Sequence, residues 1–396
     1  TGVPGFNSIA PGTPMQVDIH GADFGNDPSA LTVEYKNNNN KNDAQDSDFF
    51  TATDCAVDTS HTLLTCKSAK GSGTGLQWRV RNTDEQQSSW FPPNPILNVS
   101  SYKKSIISNV AIDKVTVDGA NPKLDGSGGQ ELTIYGSFFG PTITGNKNVV
   151  KLQYGLATDK TVKYEVGCNV NNHTKLICTS APGVGTGHIL RAVVNGLVGE
   201  WTDKLQLNYK LPIVTNVAGP GAIASTTEGK LEIEIYGKHF GPKFDDIFGT
   251  CKPGWGTSNG VITRSLLITK TAMYANVLVT YGIPSAPIYN GQCCTVKSDT
   301  RMRCKTDEGM GKDHAWKVRI GGQESNLYKA NTSYGVPVVA QYKKVEIDVQ
   351  QFATQGNQYI DIIGENFGPN EKGLDKLTYG EGKGLEYNVN ASNCIM

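Results

Sequence analysis

One short pattern recurs four times in this chain and limits what the chain can fold into. It reads apolar strand, then G-x-x-F-G. The copies are Gly21-Ala22-Asp23-Phe24-Gly25, Gly136-Ser137-Phe138-Phe139-Gly140, Gly237-Lys238-His239-Phe240-Gly241 and Gly364-Glu365-Asn366-Phe367-Gly368. Proline follows the last three, at Pro141, Pro242 and Pro369. The copies lie roughly 100–130 residues apart, too far for a solenoid unit and right for a small domain. An alternating segment precedes each copy: Met15-Gln16-Val17-Asp18-Ile19, Glu131-Leu132-Thr133-Ile134-Tyr135, Leu231-Glu232-Ile233-Glu234-Ile235 and Tyr359-Ile360-Asp361-Ile362-Ile363. Period-two alternation marks a strand with one buried face. The paired glycines are expected to supply backbone angles that other residues reach only with strain. The Phe between them is expected to return to the core and pin the turn.

The repeats divide the chain into 1–103, 104–211, 212–334 and a partial fourth copy, 335–396. Repeat two shows the strand pattern most cleanly: Ile107–Val117, Gln130–Tyr135, Val149–Tyr154, Thr161–Val166, Lys175–Thr179, His188–Asn195 and Lys204–Tyr209. Seven short strands in about a hundred residues, parted by Gly-rich turns, describe an immunoglobulin-like β-sandwich. Composition agrees, because charged residues are only 19% while Gly is 45 and Pro 18. Many turn formers beside Val, Ile, Thr and Tyr read as all-β. Repeat three is longer between its Phe and its paired cysteines by about two dozen residues. The excess, placed at about 251–290 with Cys251, Trp255 and the strand-like Ala275–Tyr281, is expected to project as a hairpin. In repeat four the expected strands are Lys343–Val349, Tyr359–Ile363, Lys376–Tyr379 and Leu385–Val389.

The nine cysteines follow the repeats. Cys55 and Cys66 are 11 apart, Cys168 and Cys178 are 10 apart, and Cys294 and Cys304 are 10 apart. Each second cysteine precedes a G-x-G: Gly71 and Gly73, Gly183 and Gly185, Gly309 and Gly311. Equal spacing points to one local disulfide per repeat, each closing a loop whose entropy is worth about 3 kcal/mol. Zinc is the rival reading, but its C-x2-C and H-x3-H spacings are missing. Cys251 is then expected to pair with Cys293, although Cys293 and Cys294 can exchange roles. Cys394 aligns with the first cysteine of a pair. Acceptor sequons for N-linked glycans stand at Asn98, Asn172, Asn331 and Asn390. Asn98 and Asn331 lie at the exit of a repeat and Asn172 inside the cysteine loop. Local disulfides and sequons both imply the secretory route, hence an extracellular or cell-surface protein.

Lys+Arg and Asp+Glu are both 37, so the net charge is +0 and nothing points to nucleic acid or an anionic membrane. No apolar run approaches the length of a bilayer span. The six histidines form no H-E-x-x-H, and there is no G-x-S-x-G. Gly183-Val184-Gly185-Thr186-Gly187 looks like a phosphate loop but runs into a strand, so a hairpin is expected. Asp125-Gly126-Ser127-Gly128 lacks the later acidic ligands of a calcium loop and reads as a turn. Trp78 and Trp316 share one strand position and read as core, with a sugar platform as the other reading. No catalytic residue, metal site or cofactor is expected, and the chain is not read as an enzyme.

These features resemble the IPT/TIG family, the immunoglobulin-like fold shared by plexins and transcription factors. The resemblance rests on apolar-x-I-x-G-x-x-F-G-P early in each repeat and L-x-C-x-[ST]-x-x-G-x-G late. Repeats one to three carry both, and repeat four carries the first. The family implies the fold and leaves function open, because it includes receptor ectodomains, surface proteins, transcription factors and modules attached to enzymes. Net charge +0 and the cysteine pairs disfavour the DNA-binding branch.

Two function classes remain: a non-catalytic structural or adhesion protein, or the ligand-binding ectodomain of a receptor. An accessory module of an enzyme is a third. The partial fourth repeat favours the first. Its Ile360, Ile362, Phe367, Leu377 and Val389, with Cys394, are expected to form half a core with open strand edges. A neighbouring copy, through its Thr1–Pro14 segment, would complete it by strand addition, and such head-to-tail contacts build a filament. The alternative is that the rest of the domain follows in a longer chain.

Overall fold

The computed structural model describes residues 16–37, 49–91, 100–118, 121–142, 150–243, 277–284, 286–344, 354–356, 358–369, 376–381, 386–389 and 394. Of these, 56% are strand and 1% helix. The fold is all-β, as expected. The chain divides into two compact units, Thr1–Pro182 with Thr186–Asn208, and Gly183–Gly185 with Tyr209–Met396. The first holds nearly all of repeats one and two, the second repeats three and four.

Each complete repeat is a pair of antiparallel ladders facing one core. In repeat one, Gln16–His20, Leu63–Lys67 and Thr53–Thr59 form a three-stranded sheet. Phe50–Thr51, Leu31–Asn37, Thr74–Asn82 and Ser100–Ser101 form a four-stranded one. Val17, Leu64 and Cys66 from the first sheet meet Val33, Tyr35, Leu76 and Trp78 from the second in one core. Alternation explains this placement, because in Leu63–Lys67 only Leu64 and Cys66 are buried. Repeat three has the same plan, with a four-stranded and a five-stranded sheet. In repeat two the strand Tyr164–Asn172 runs unbroken from one layer to the other, so the nine strands form a single folded sheet. Its first half pairs with Val150–Leu156 and its second with Lys175–Thr179. In repeats one and three the equivalent strand breaks at Ala52 and Gly291, and the sheets separate. Strands that change sheets are how such sandwiches turn their corners.

The G-x-x-F-G turn takes one form in all four copies, and the role of its first glycine differs from expectation. Only the second glycine needs a left-handed backbone (Gly25 φ 71, Gly140 φ 85, Gly241 φ 81, Gly368 φ 104). At the first, a Cβ would sit 2.0 Å from Ile106 O at Gly136, 1.9 Å from Ile213 O at Gly237 and 1.9 Å from Val338 O at Gly364. The Phe ring closes the other side, at 2.7 Å for Phe139, 2.5 Å for Phe240 and 2.7 Å for Phe367. The ladder to the preceding strand shifts register at this place, between Tyr135 and Gly136 in repeat two and between Val339 and Gln341 in repeat four. The bulge brings a neighbouring carbonyl against the glycine, and the Phe packs under it. The residue before the Phe is left-handed in every copy: Asp23 φ 62, Phe138 φ 67, His239 φ 63 and Asn366 φ 60.

The expected hairpin at 251–290 is corrected at its C-terminal end. Leu278–Ile283 and Ala286–Asn290 are sheet strands of the sandwich, with Val279 0% and Tyr281 1% exposed. They are the counterparts of Val150–Leu156 and the first half of Tyr164–Asn172. The extra residues of repeat three therefore precede Val277, and Cys251 and Trp255 lie outside the described residues. Two smaller corrections concern repeat two. Ile107–Val117 is two strands, Ile106–Ile112 and Val115–Thr116, and the Thr161–Val166 strand starts at Tyr164 and runs to Asn172. Asp125–Gly128 is a turn closed by Gly128 N donating to Asp125 O at 3.0 Å.

Candidate assembly site

Among the described residues the next strand after each G-x-x-F-G carries a tyrosine at one register position: Tyr35, Tyr154, Tyr281 and Tyr379. In repeats one to three it is the centre of the core, 0%, 0% and 1% exposed. Its strand is flanked on both sides. Tyr35 stands opposite Phe50 and Trp78, Tyr154 opposite Tyr164 and Leu190, and Tyr281 opposite Tyr289 and Trp316. Tyr35 stacks on Phe50 at 5.1 Å and on Trp78 at 4.1 Å, and Tyr281 stacks on Trp316 at 4.1 Å with Tyr289 tilted against it at 5.2 Å. Cross-strand aromatic pairs of this kind add to burial.

The buried hydroxyls are satisfied by groups that the late motif supplies. The backbone N–H three residues after the second cysteine donates to each phenol: Ala69 to Tyr35 at 2.9 Å, Ala181 to Tyr154 at 2.9 Å and Asp307 to Tyr281 at 2.8 Å. The tyrosine that ends the repeat completes the set, with Tyr35 and Tyr102 oxygens 2.8 Å apart and Tyr281 and Tyr334 oxygens 2.7 Å apart. Burial pushes the Tyr35 and Tyr281 phenols up to about 12, because the charged form is penalised away from water. The Ser/Thr of the motif works beside them. Ser180 Oγ accepts from Gln130 N at 3.0 Å and Thr306 Oγ1 from Leu231 N at 3.2 Å.

Repeat four carries the same pair of rings. Tyr379 stands opposite Tyr387 and stacks on it at 5.2 Å. Among the described residues Leu377–Gly380 pairs with Glu386–Val389 in a two-stranded sheet. Tyr379 is 51% exposed and Tyr387 60%. The counterparts of fully buried Leu132, Ile134 and Phe139 in repeat two are Ile360, Ile362 and Phe367, and all three are half-buried. Leu377 and Val389 are half-buried, and so is Cys394. The six residues expected at an open half-core thus share one repeat whose core positions are less covered than in its relatives.

The disulfides are Cys55–Cys66, Cys168–Cys178 and Cys294–Cys304, with Cα atoms 4.0, 4.3 and 4.1 Å apart. Cys168 stands directly opposite Cys178 in a regular ladder. In the other two repeats the residue before the first cysteine is left-handed, Asp54 φ 49 and Cys293 φ 53, and a bulge replaces the regular pairing. It is Cys294, not Cys293, that joins Cys304, and Cys293 is itself disulfide-bonded. Asn172 is exposed at the end of its strand, and its Oδ1 accepts from Thr174 N at 2.9 Å. Asn331 is also exposed, but it lies within the strand Tyr328–Thr332 with φ 52 rather than in a linker. Asn98, Asn390 and the proposed donor segment Thr1–Pro14 lie outside the described residues.

Sequence reasoning missed the tyrosine centre and an outer-face feature. Arg79 lies 4.8 Å from the Phe49 ring and 4.5 Å from the Trp90 ring, and Arg191 lies 4.4 Å from Trp201 at the same strand position. Glu34 holds Arg79 at 2.8 Å and Arg81 at 2.9 Å. Trp78 and Trp316, the tryptophans singled out from the sequence, are core residues, 8% and 1% exposed. Among the described residues no group of three or more His, Cys, Asp or Glu is placed to hold a metal, and no helix is long and apolar enough to cross a membrane.

No protein-family model matches the chain, and no curated protein matches it. Among solved structures the chain is similar to FdeC, an Escherichia coli adhesin, at 12% identity over 83% of this chain and 86% of that one, TM-score 0.19. It is similar to invasin, a bacterial integrin-binding protein, at 13% identity over 91% of this chain and 65% of that one, TM-score 0.20. It is also similar to the FN1–FN3 domains of chicken CNTN1, at 10% identity over 75% and 88%, TM-score 0.19. Scores at this level carry no argument about what the chain does, and the fold rests on the chain's own ladders and cores.

Proposed function

We propose that this chain is a non-catalytic extracellular structural or adhesion protein of tandem IPT/TIG-type domains that assembles head-to-tail through its fourth repeat. The observation that carries the reading is Tyr379. The same tyrosine is buried between two flanking strands in repeats one to three and is 51% exposed in repeat four. Among the described residues Leu377–Gly380 pairs on one side only, with Glu386–Val389, and a strand added on the other, with a large apolar side chain opposite Tyr379, would reproduce the arrangement of Trp78, Leu190 and Trp316. Strand addition of this kind draws affinity from backbone hydrogen bonds and specificity from side-chain pockets. The donor in this reading is a second copy of the chain, and a donor site distinct from the acceptor makes the contact heterologous, so it propagates.

Three local disulfides support an oxidising compartment, since such bonds are rare in the cytosol. The bulged G-x-x-F-G turn and the N–H that caps each core tyrosine give the two sequence motifs a structural purpose and support the IPT/TIG reading. Electron microscopy of the purified whole chain, beside a chain ending at Gly335, tests the proposal. Filaments or oligomers from the whole chain and none from the shorter one are expected. Filaments from both, or from neither at high concentration, would overturn it.

A further inference from the structure

The G-x-G turn of each complete repeat feeds a late strand, and three residues past its second glycine stand Leu76, His188 and His314. All three side chains are buried, Leu76 at 0% exposed and both histidines at 2%. A position that accepts leucine in one repeat holds an ionisable ring in the other two.

Each histidine is packed among tyrosines. The His188 ring lies 5.3 Å from Tyr164 and 6.3 Å from Tyr154. Its Nδ1 is 3.3 Å from Leu207 O, the residue opposite it on the closing strand Gln206–Leu207. A carbonyl only accepts, so Nδ1 carries the proton. Lys163 is the cation close enough to oppose a charge on this ring, and it is held by Asp159 at 3.4 Å. The His314 ring lies 5.8 Å from Tyr281, 5.7 Å from Tyr289 and 5.5 Å from Tyr334, opposite Thr332 of the closing strand Tyr328–Thr332. Burial outweighs the Met310 backbone hydrogen bond and the Asp313 carboxylate, which both favour the charged ring. The Asp307 carboxyl bears on the same tyrosines.

We propose that His188 and His314 are paired acid-sensitive latches, whose protonation loosens repeats two and three where the late strand meets the closing strand while repeat one, with Leu76, holds. Burial first, then Lys163, lowers His188 to about 4, against the ordinary 6.5. Burial lowers His314 also. A depressed histidine binds fewer protons folded than unfolded. Its contribution is therefore intact above about pH 6.5 and is lost as pH falls toward the folded value. For His188 the closed-to-open ratio drops about 30-fold between pH 7.5 and pH 5. Glu165, Glu200 and Glu234 are held below the ordinary carboxylate range by their cationic partners, so they stay ionised in that window.

Hydrogen exchange read by mass spectrometry on the whole chain, corrected for the intrinsic pH dependence, tests this repeat by repeat. At pH 5 against pH 7.5, protection of the strands His188–Val194 and Gln206–Leu207 is expected to fall about 30-fold, with a fall also in His314–Ile320. The repeat-one strand Thr74–Asn82 is expected to hold. His188→Leu and His314→Leu, which copy repeat one, are expected to abolish the fall in their own repeat alone. Should either variant fail to fold, NMR titration of the two rings in the unaltered chain decides: midpoints below about 5 support the latch. Equal protection at both pH values, or ring midpoints above 6, would overturn it.

Discussion

Replacing Tyr281 by Phe removes one oxygen from the centre of repeat three. That oxygen accepts from Asp307 N at 2.8 Å and meets the Tyr334 hydroxyl at 2.7 Å. Tyr334 also donates to Asp307 O at 2.7 Å, so the end of the late motif is stitched to both tyrosines. The ring itself stays, still stacked on Trp316 at 4.1 Å, and little apolar burial is lost. What remains is a partly buried N–H without its acceptor and one lost hydroxyl pair, together about 1.5 kcal/mol. That is about tenfold in the opening equilibrium of the repeat, read by native-state hydrogen exchange. Tyr379→Phe makes the same chemical change at the same strand position, but Tyr379 is 51% exposed. A substitution at so exposed a position is expected to cost less, below about 0.5 kcal/mol. Equal losses at the two sites would refute the claim that Tyr379 is less enclosed than Tyr281.

Three further outcomes follow from the same geometry. Replacing Cys168 and Cys178 together by Ala should lower the stability of repeat two by about 2.7 kcal/mol in the chain-entropy account. Local exchange is the readout, and repeat one should not change. Gly136→Ala would put a Cβ 2.0 Å from Ile106 O, whereas at Gly25 nothing lies within 4 Å and only φ 71 opposes a side chain. The first should cost more than about 2 kcal/mol and the second about 1, measured as the shift in the denaturant midpoint of the repeat concerned. Secreted material should lose mass on glycosidase treatment at peptides holding Asn172 and Asn331, both exposed. Unchanged masses at both would count against a glycoprotein.

Much of the fold was legible because it is written in periodic form. Alternation in Glu131–Tyr135 and Leu231–Ile235 marks the buried face, and the equal cysteine spacings point to the three pairs. Other features were hidden for physical reasons. Glycine in G-x-x-F-G looked like a demand for unusual angles, but at Gly136 the demand is room for a neighbouring carbonyl, which no local pattern encodes. The left-handed residue before the Phe is Asp, Phe, His or Asn, and Phe138 gives no hint of that conformation. Counting from Phe240 to the cysteines places Tyr281 in the insertion. Aligning Tyr281-Gly282 with Tyr154-Gly155 and Tyr379-Gly380 would have marked the strand. The same alignment, with Tyr102, Tyr209 and Tyr334 at the repeat ends, was the available signal for the tyrosine centre. In repeat four the same alternation marks Ile360 and Ile362, and both are half-buried.

The central proposal is that the exposed Tyr379–Tyr387 stack of repeat four accepts a strand from another copy. Sedimentation velocity of the whole chain over a wide concentration range, beside Tyr379→Asp, measures it most directly. Tyr379 is exposed, so the aspartate leaves the single chain folded but places a charge where an apolar side chain must pack. The account predicts species that grow with concentration in the unaltered chain and a monomer in the variant. A chain that stays monomeric at the highest concentration, or a variant that assembles as well as its parent, would contradict it.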